Sequence, residues 1–160
     1  MATNYDLLVD LYDLKQTPFT NDKVQIKRVL PPDSDKVIEF ILKEFTEEWA
    51  SEAKSALYRA NPNCFIAVRD EKVIGFACYD ATAKGFFGPL GVSKDARGLG
   101  LGIILVQKTL KAMRDDGYAY AIIGGASVKT QPFYEKACGN ILPIPNSRKI
   151  YLRMVRNIKI

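Results

Sequence analysis

The segment Arg97-Gly98-Leu99-Gly100-Leu101-Gly102 constrains this chain more than any other stretch. Three glycines at alternate positions fit neither a helix interior nor a regular strand without cost, yet beyond them Ile103, Val106, Leu110 and Met113 recur at helical spacing. The residues before them, Phe86-Phe87-Gly88-Pro89-Leu90-Gly91-Val92, read as a strand made irregular by a proline without a ladder donor and by two glycines. A strand, a glycine-rich turn and a helix N-terminus form an anion site, because N–H groups lacking intrahelical partners converge where glycine permits close approach. Arg97 adds a fixed positive charge. Spacing disfavours two common uses of such a turn. A Walker A loop needs a lysine–hydroxyl pair after its last glycine, and none follows Gly102. The Rossmann fingerprint is GxGxxG, whereas Gly98, Gly100 and Gly102 give GxGxG, and the strand ending at Ala126 offers no ribose-binding acid.

The flanking sequence predicts the surrounding elements. A strand is expected over residues 23–30, then a helix capped by Asp33 or Ser34 and running to about Phe45. A second short helix runs over residues 47–60 to the turn Asn61-Pro62-Asn63, and a hairpin pairs residues 64–69 with 73–80. A buried strand follows over 118–126, then a helix opened by Thr130 and Pro132 and closed by Gly139, and two last strands near 141–144 and 150–155. Residues 1–22 read as an N-terminal arm or short helix and residues 23–156 as the core. With 48% apolar residues and no internal repeat or linker, the 160 residues are expected to form one domain. Asp6, Asp10 and Asp13 interrupt the apolar N-terminus, which has no basic stretch, and no run approaches the roughly 20 apolar residues of a membrane span. A cytoplasmic protein without membrane association is the expectation.

A further motif separates the remaining readings of the turn. Leu90-x-Val92, then Arg97-x-x-Gly100-x-Gly102, followed downstream by Phe133-Tyr134-Glu135-Lys136 and Gly139, resembles the two signatures of the GNAT superfamily of acyl-CoA-dependent N-acetyltransferases. The resemblance spans residues 24–155. It implies an α/β (α+β) fold with a mixed, mostly antiparallel sheet, a splayed central strand pair and flanking helices. It also implies acetyl-CoA as cosubstrate and a small-molecule or protein amine as acceptor, and it leaves room for a homodimer. Backbone groups of Leu90, Gly91 and Val92 would hold the pantetheine arm, and N–H groups of Gly98, Leu99, Gly100, Leu101 and Gly102, with Arg97, the diphosphate. Ser127 stands seven residues before Tyr134, where many relatives place an asparagine that contacts the cofactor. The resemblance assigns the catalytic roles to the Leu90 N–H, which polarises the thioester carbonyl, and to the Tyr134 hydroxyl, which protonates the departing thiolate. It places the acceptor between residues 45–58 and 143–148, where Trp49 and the acids around it suit a cationic amine and Arg148 and Lys149 an anionic substrate.

The absence of histidine bears on mechanism: triads, Cys–His pairs and imidazole shuttles are excluded. Acetyl transfer needs a neutral amine, a stabilised oxyanion and a proton for the thiolate, none of which demands imidazole. A proton acceptor is not singled out; Asp80, Glu44, Glu47 and Glu48 are all candidates. Cys64, Cys78 and Cys138 have no CxxC spacing and no partner base, so they read as small buried residues, with neither a metal site nor a ping-pong nucleophile expected. Direct transfer in a ternary complex follows, with a noncatalytic acyl-CoA-binding or regulatory module as the alternative. Residues 33–52 carry seven acids against two lysines, and residues 147–160 five bases and no acid. Those bases alternate with Ile150, Leu152 and Met154 as on a half-buried strand, which argues against nucleic-acid binding.

Overall fold

The computed structural model describes residues 4–156. Seven strands and four helices follow one another as β1 (Tyr5–Leu14), β2 (Gln25–Arg28), α1 (Ser34–Glu44), α2 (Glu47–Leu57), β3 (Cys64–Arg69), β4 (Lys72–Tyr79), β5 (Phe86–Val92), α3 (Leu101–Asp115), β6 (Tyr120–Ala126), α4 (Gln131–Cys138) and β7 (Gly139–Pro143). The strands form one sheet in the order β2-β3-β4-β5-β6-β1-β7. Every neighbouring pair is antiparallel except β5 and β6, which run parallel.

Alternation along the strands sends side chains to two cores. Ala67, Ala77 and Tyr79 join α3 residues such as Leu105 and Leu110 on one face, where Phe133 and Tyr134 of α4 also pack. Cys64, Ile66, Phe76 and Cys78 point to the other face, which Val37, Ile41, Ala53 and Leu57 of α1 and α2 cover. The three cysteines are buried and unbridged. Ser34 does not cap α1; its hydroxyl is donated to the Leu57 carbonyl at 3.1 Å and ties α1 to the end of α2. α2 is capped instead by Thr46, whose Oγ1 accepts the Trp49 N–H at 3.1 Å.

Two expectations are corrected at the ends of the chain. Residues 5–14 form neither an arm nor a helix: β1 is a ten-residue strand between β6 and β7, with Leu7, Val9 and Leu11 fully buried, while residues 1–3 lie outside the described residues. Both β6 and β7 run antiparallel to it, so they are parallel to each other and stand one strand-width apart across the α4 connection. That slot needs an antiparallel strand, and the N-terminus fills it. The strand expected at 150–155 does not form. Residues Lys149–Arg153 make a short 3-10 helix, and Leu152, Met154 and Val155 are exposed, so the alternation there is not that of a half-buried strand.

Candidate functional site

β5 and β6 pair only at Phe86↔Ile122 and Phe87↔Ile123 and then diverge. Gly88, with φ 116°, and Pro89, joined to it by a cis peptide, begin the divergent part, where β5 stays paired to β4 through Leu90, Gly91 and Val92. On its β6 side this stretch of backbone has no strand partner. The ladder break expected from the irregular strand and the splay implied by the resemblance are both present, and they make a window in the sheet.

Two cavities meet at that window. One, of about 600 Å³, extends from Leu90, Gly91 and Val92 to Arg97, Gly100 and Gly102. The other, of about 540 Å³, lies between Gly88–Leu90 and Gly124–Ala126 and reaches Tyr134, Glu52 and Tyr151. Trp49, Leu90 and Phe133 line both. In the turn, Gly98 and Gly100 adopt φ of 84° and 78°, left-handed values at which any other residue is strained. Gly100 caps α3 in that conformation, with no side-chain cap and no acid in the first helical turn. The N–H groups of the first turn thus face outward with the positive end of the helix dipole behind them and Arg97 beside them, an arrangement suited to an oxyanion-rich ligand. Leu99 is exposed and lines neither cavity, so it can contribute only its backbone. Ser127 also lies outside both linings; its carbonyl accepts the N–H groups of Thr130 and Gln131 and shapes the turn into α4.

Tyr134 packs edge-on against Phe87 and Phe133 and lines the second cavity. Burial pushes its phenol up to about 12. It is therefore a proton donor at neutral pH, and no side chain among the described residues shares a hydrogen bond with its hydroxyl. Trp49 stacks with Phe45 at 5.2 Å, and the Phe45 ring lies so close over Gly91 that a Cβ there would overlap it.

None of the four acids considered as proton acceptors lines the window. Asp80 accepts the Gly85 N–H at 2.7 Å and the Tyr118 hydroxyl at 2.8 Å, while Glu47 and Glu48 are exposed on α2. The carboxyl that does face the cavity is Glu52. It lies three residues after Trp49, hence on the same face of α2. The Ser55 hydroxyl, donated to the Ala81 carbonyl at 2.7 Å, ties α2 to the loop that carries Thr82. Burial holds the Glu52 carboxyl above the usual carboxylate range, with the Thr82 hydroxyl pulling partly back. Tyr151 is the second residue not foreseen. From the C-terminal 3-10 helix it reaches back over Gly124, where a Cβ would overlap its hydroxyl. Phe45, Trp49 and Tyr151 thus line the cavities at the window, whereas residues 143–148 line neither.

The chain matches the acetyltransferase (GNAT) family over residues 34–139 and belongs to that family. Acetyl-CoA-dependent acetyl transfer is general to its members. Among solved structures, the chain is similar to a GCN5-related N-acetyltransferase from Sphaerobacter thermophilus, at 19% identity and a TM-score of 0.67, over 89% of this chain and 50% of that one. It is also similar to the GCN5-related glucosamine N-acetyltransferase region of a fungal multi-domain β-N-acetylglucosaminidase, at 17% identity and TM-score 0.67, over 88% of this chain and 20% of that one. A GNAT family N-acetyltransferase from Escherichia coli in complex with CoA matches at 21% identity and TM-score 0.50, over 64% of this chain and 63% of that one. The chain thus spans between a fifth and under two thirds of these proteins' lengths. No curated protein matches it by sequence. The fold of these relatives is the mixed, mostly antiparallel sheet with flanking helices expected from the sequence. Among the described residues, no group of three or more acids and cysteines is placed to hold a metal, and no helix is long and apolar enough to cross a membrane.

Proposed function

We propose that this chain transfers an acetyl group from acetyl-CoA to a primary amine by direct attack within a ternary complex. The observation that carries this reading is the two-sided window. Tyr134 packs with the core on the α3–α4 face, whereas Glu52 and Trp49 belong to α2 on the opposite face, and all three line the same opening. A thioester lying in the window would have a proton donor on the leaving-group side and a proton acceptor on the incoming side.

In this reading the diphosphate sits on the N–H groups of 98–102 beside Arg97, and the pantetheine arm runs along Leu90, Gly91 and Val92 as an added strand would. The Leu90 N–H polarises the thioester carbonyl. Glu52 takes one proton from the ammonium; the neutral nitrogen attacks the carbonyl carbon, and the C–S bond breaks as the intermediate collapses. Tyr134 protonates the thiolate and is restored by the second nitrogen proton, while Glu52 returns its proton to solvent. A covalent route through cysteine has little support: burial pushes the Cys138 thiol up to about 12, a hydrogen bond with Cys64 and then burial push the Cys78 thiol well up, and no cysteine lines the window.

Calorimetry tests the cofactor half and coenzyme A release the chemical half. Acetyl-CoA is expected to bind saturably, and Arg97→Glu to weaken it. Tyr134→Phe is expected to bind normally but turn over on the order of a hundredfold more slowly. Binding without turnover of any amine would favour a noncatalytic acyl-CoA-binding module, and no binding at low salt would remove both.

A further inference from the structure

The side of the window opposite Tyr134 is completed by the two ends of the chain. Asp6 of β1 is 4% exposed, and its Oδ1 accepts both the Gly125 N–H and the Tyr151 hydroxyl, each at 3.1 Å. The same residue is laced to the C-terminal segment through its backbone: its N–H is donated to Ser147 Oγ at 2.9 Å, and its carbonyl accepts the Ile144 N–H at 2.8 Å. The Arg148 guanidinium lies 5.8 Å from the Tyr151 ring centroid and donates to the Asn4 carbonyl. Tyr151 is thereby fixed at the mouth of the splay, near Glu52 and Trp49.

A phenolic hydroxyl has one proton and two acceptor positions. With the proton committed to Asp6, Tyr151 can offer the cavity only lone pairs. Glu52 as a carboxylate likewise offers only lone pairs. The cation of this cavity, Lys129, belongs to the exposed turn leading into α4, which is the cofactor side in the proposed reaction. The Glu52 side therefore presents acceptors to its ligand, with the Trp49 ring as an apolar wall. An alkylammonium group, three donors and no acceptor on an apolar stem, complements that set, whereas a hydroxyl or carboxylate leaves lone pairs facing lone pairs.

We propose that Tyr151, oriented by the buried Asp6, is the specificity-determining residue of the acceptor subsite and, with Glu52, selects an unhindered aliphatic ammonium ion. Asp6 acts through Tyr151 and is a positioning residue. This assignment rests on the acetyl-transfer reading, and its test separates the two. The probes are n-hexylamine, n-hexanol and hexanoate, each measured alone by thermal shift and with acetyl-CoA by coenzyme A release.

The amine alone is expected to raise the Tm of the wild-type protein and the other two probes to leave it unchanged. With acetyl-CoA, Tyr151→Phe raises the KM for n-hexylamine by about tenfold, the loss of one hydrogen bond to a charged group, and leaves the KM for acetyl-CoA unchanged. Asp6→Ala has the same effect, and the double variant is no worse than either single one, because both remove one interaction. Should Asp6→Ala fail to fold, Tyr151→Phe decides alone. Coenzyme A release with an unchanged n-hexylamine KM in Tyr151→Phe, additive effects in the double variant, or a Tm shift from n-hexanol or hexanoate as large as that from n-hexylamine overturns the subsite assignment. A selective Tm shift by n-hexylamine, lost in Tyr151→Phe, with no consumption of acetyl-CoA, overturns acetyl transfer and leaves the subsite standing.

Discussion

Glu52 sets stability against chemistry. Because burial raises its pKa above the ordinary carboxyl value of 4.5, the folded protein holds this proton to higher pH than the unfolded chain does. The associated stability is fully present below the unfolded pKa and is lost as pH rises through the folded one, so the charged form that acts as base in the proposed reaction is the less stable form. Glu52→Gln is therefore expected to raise Tm at neutral pH, measured by calorimetry, while it lowers turnover and flattens the acid limb of the pH–rate profile. The limb should lie above the usual carboxylate range. Tyr134, at about 12, adds no limb near neutrality. At this scale the sequence was partly readable. Arg97, Gly100, Gly102 and Tyr134 stand at the spacings by which the chain resembles its family, and Gly98 and Gly100 take the positive φ that a glycine-rich turn suggests. Glu52 could not be singled out, because it is one of seven acids in twenty residues and only packing decides which one faces the window. Asp6 was hidden differently: in the sequence it only interrupts an apolar run, whereas its buried carboxyl meets a backbone amide and a phenol.

At the scale of elements, the strands and helices between residues 25 and 139 lie where periodicity and turn residues put them, because each contains its own signal. The two ends do not. β1 carries a period of two in Leu7, Val9 and Leu11, but the acids around it weakened that signal. The tail carries the same period in Ile150, Leu152 and Met154 without forming a strand. Alternation states that a segment can be a strand; whether a slot exists is a property of the sheet, and β1 already occupies the slot beside β7. β1 should accordingly behave as part of the core. Leu11→Ala removes a fully buried side chain and is expected to cost about 2–5 kcal/mol in denaturant unfolding. A cost within the range of surface substitutions would mean that β1 is only docked at the edge of an independently stable sheet.

For the whole molecule, the proposed function requires one sheet opened between two parallel strands, with α3 and α4 on the face proposed for the cofactor and α2 with Asp6 and Tyr151 on the face proposed for the acceptor. The splay itself was implied by the family resemblance, whereas the broken ladder was legible, since a proline and two glycines in a strand predict it. The two-sidedness was not, because it depends on which helix covers which face. The most direct measurement is an amide NMR titration of isotope-labelled protein with acetyl-CoA. The account predicts saturable shifts that include the amides of Gly98, Leu99, Gly100, Leu101 and Gly102 together with Leu90, Gly91 and Val92. Shifts that spare both segments, or that do not saturate, would contradict it.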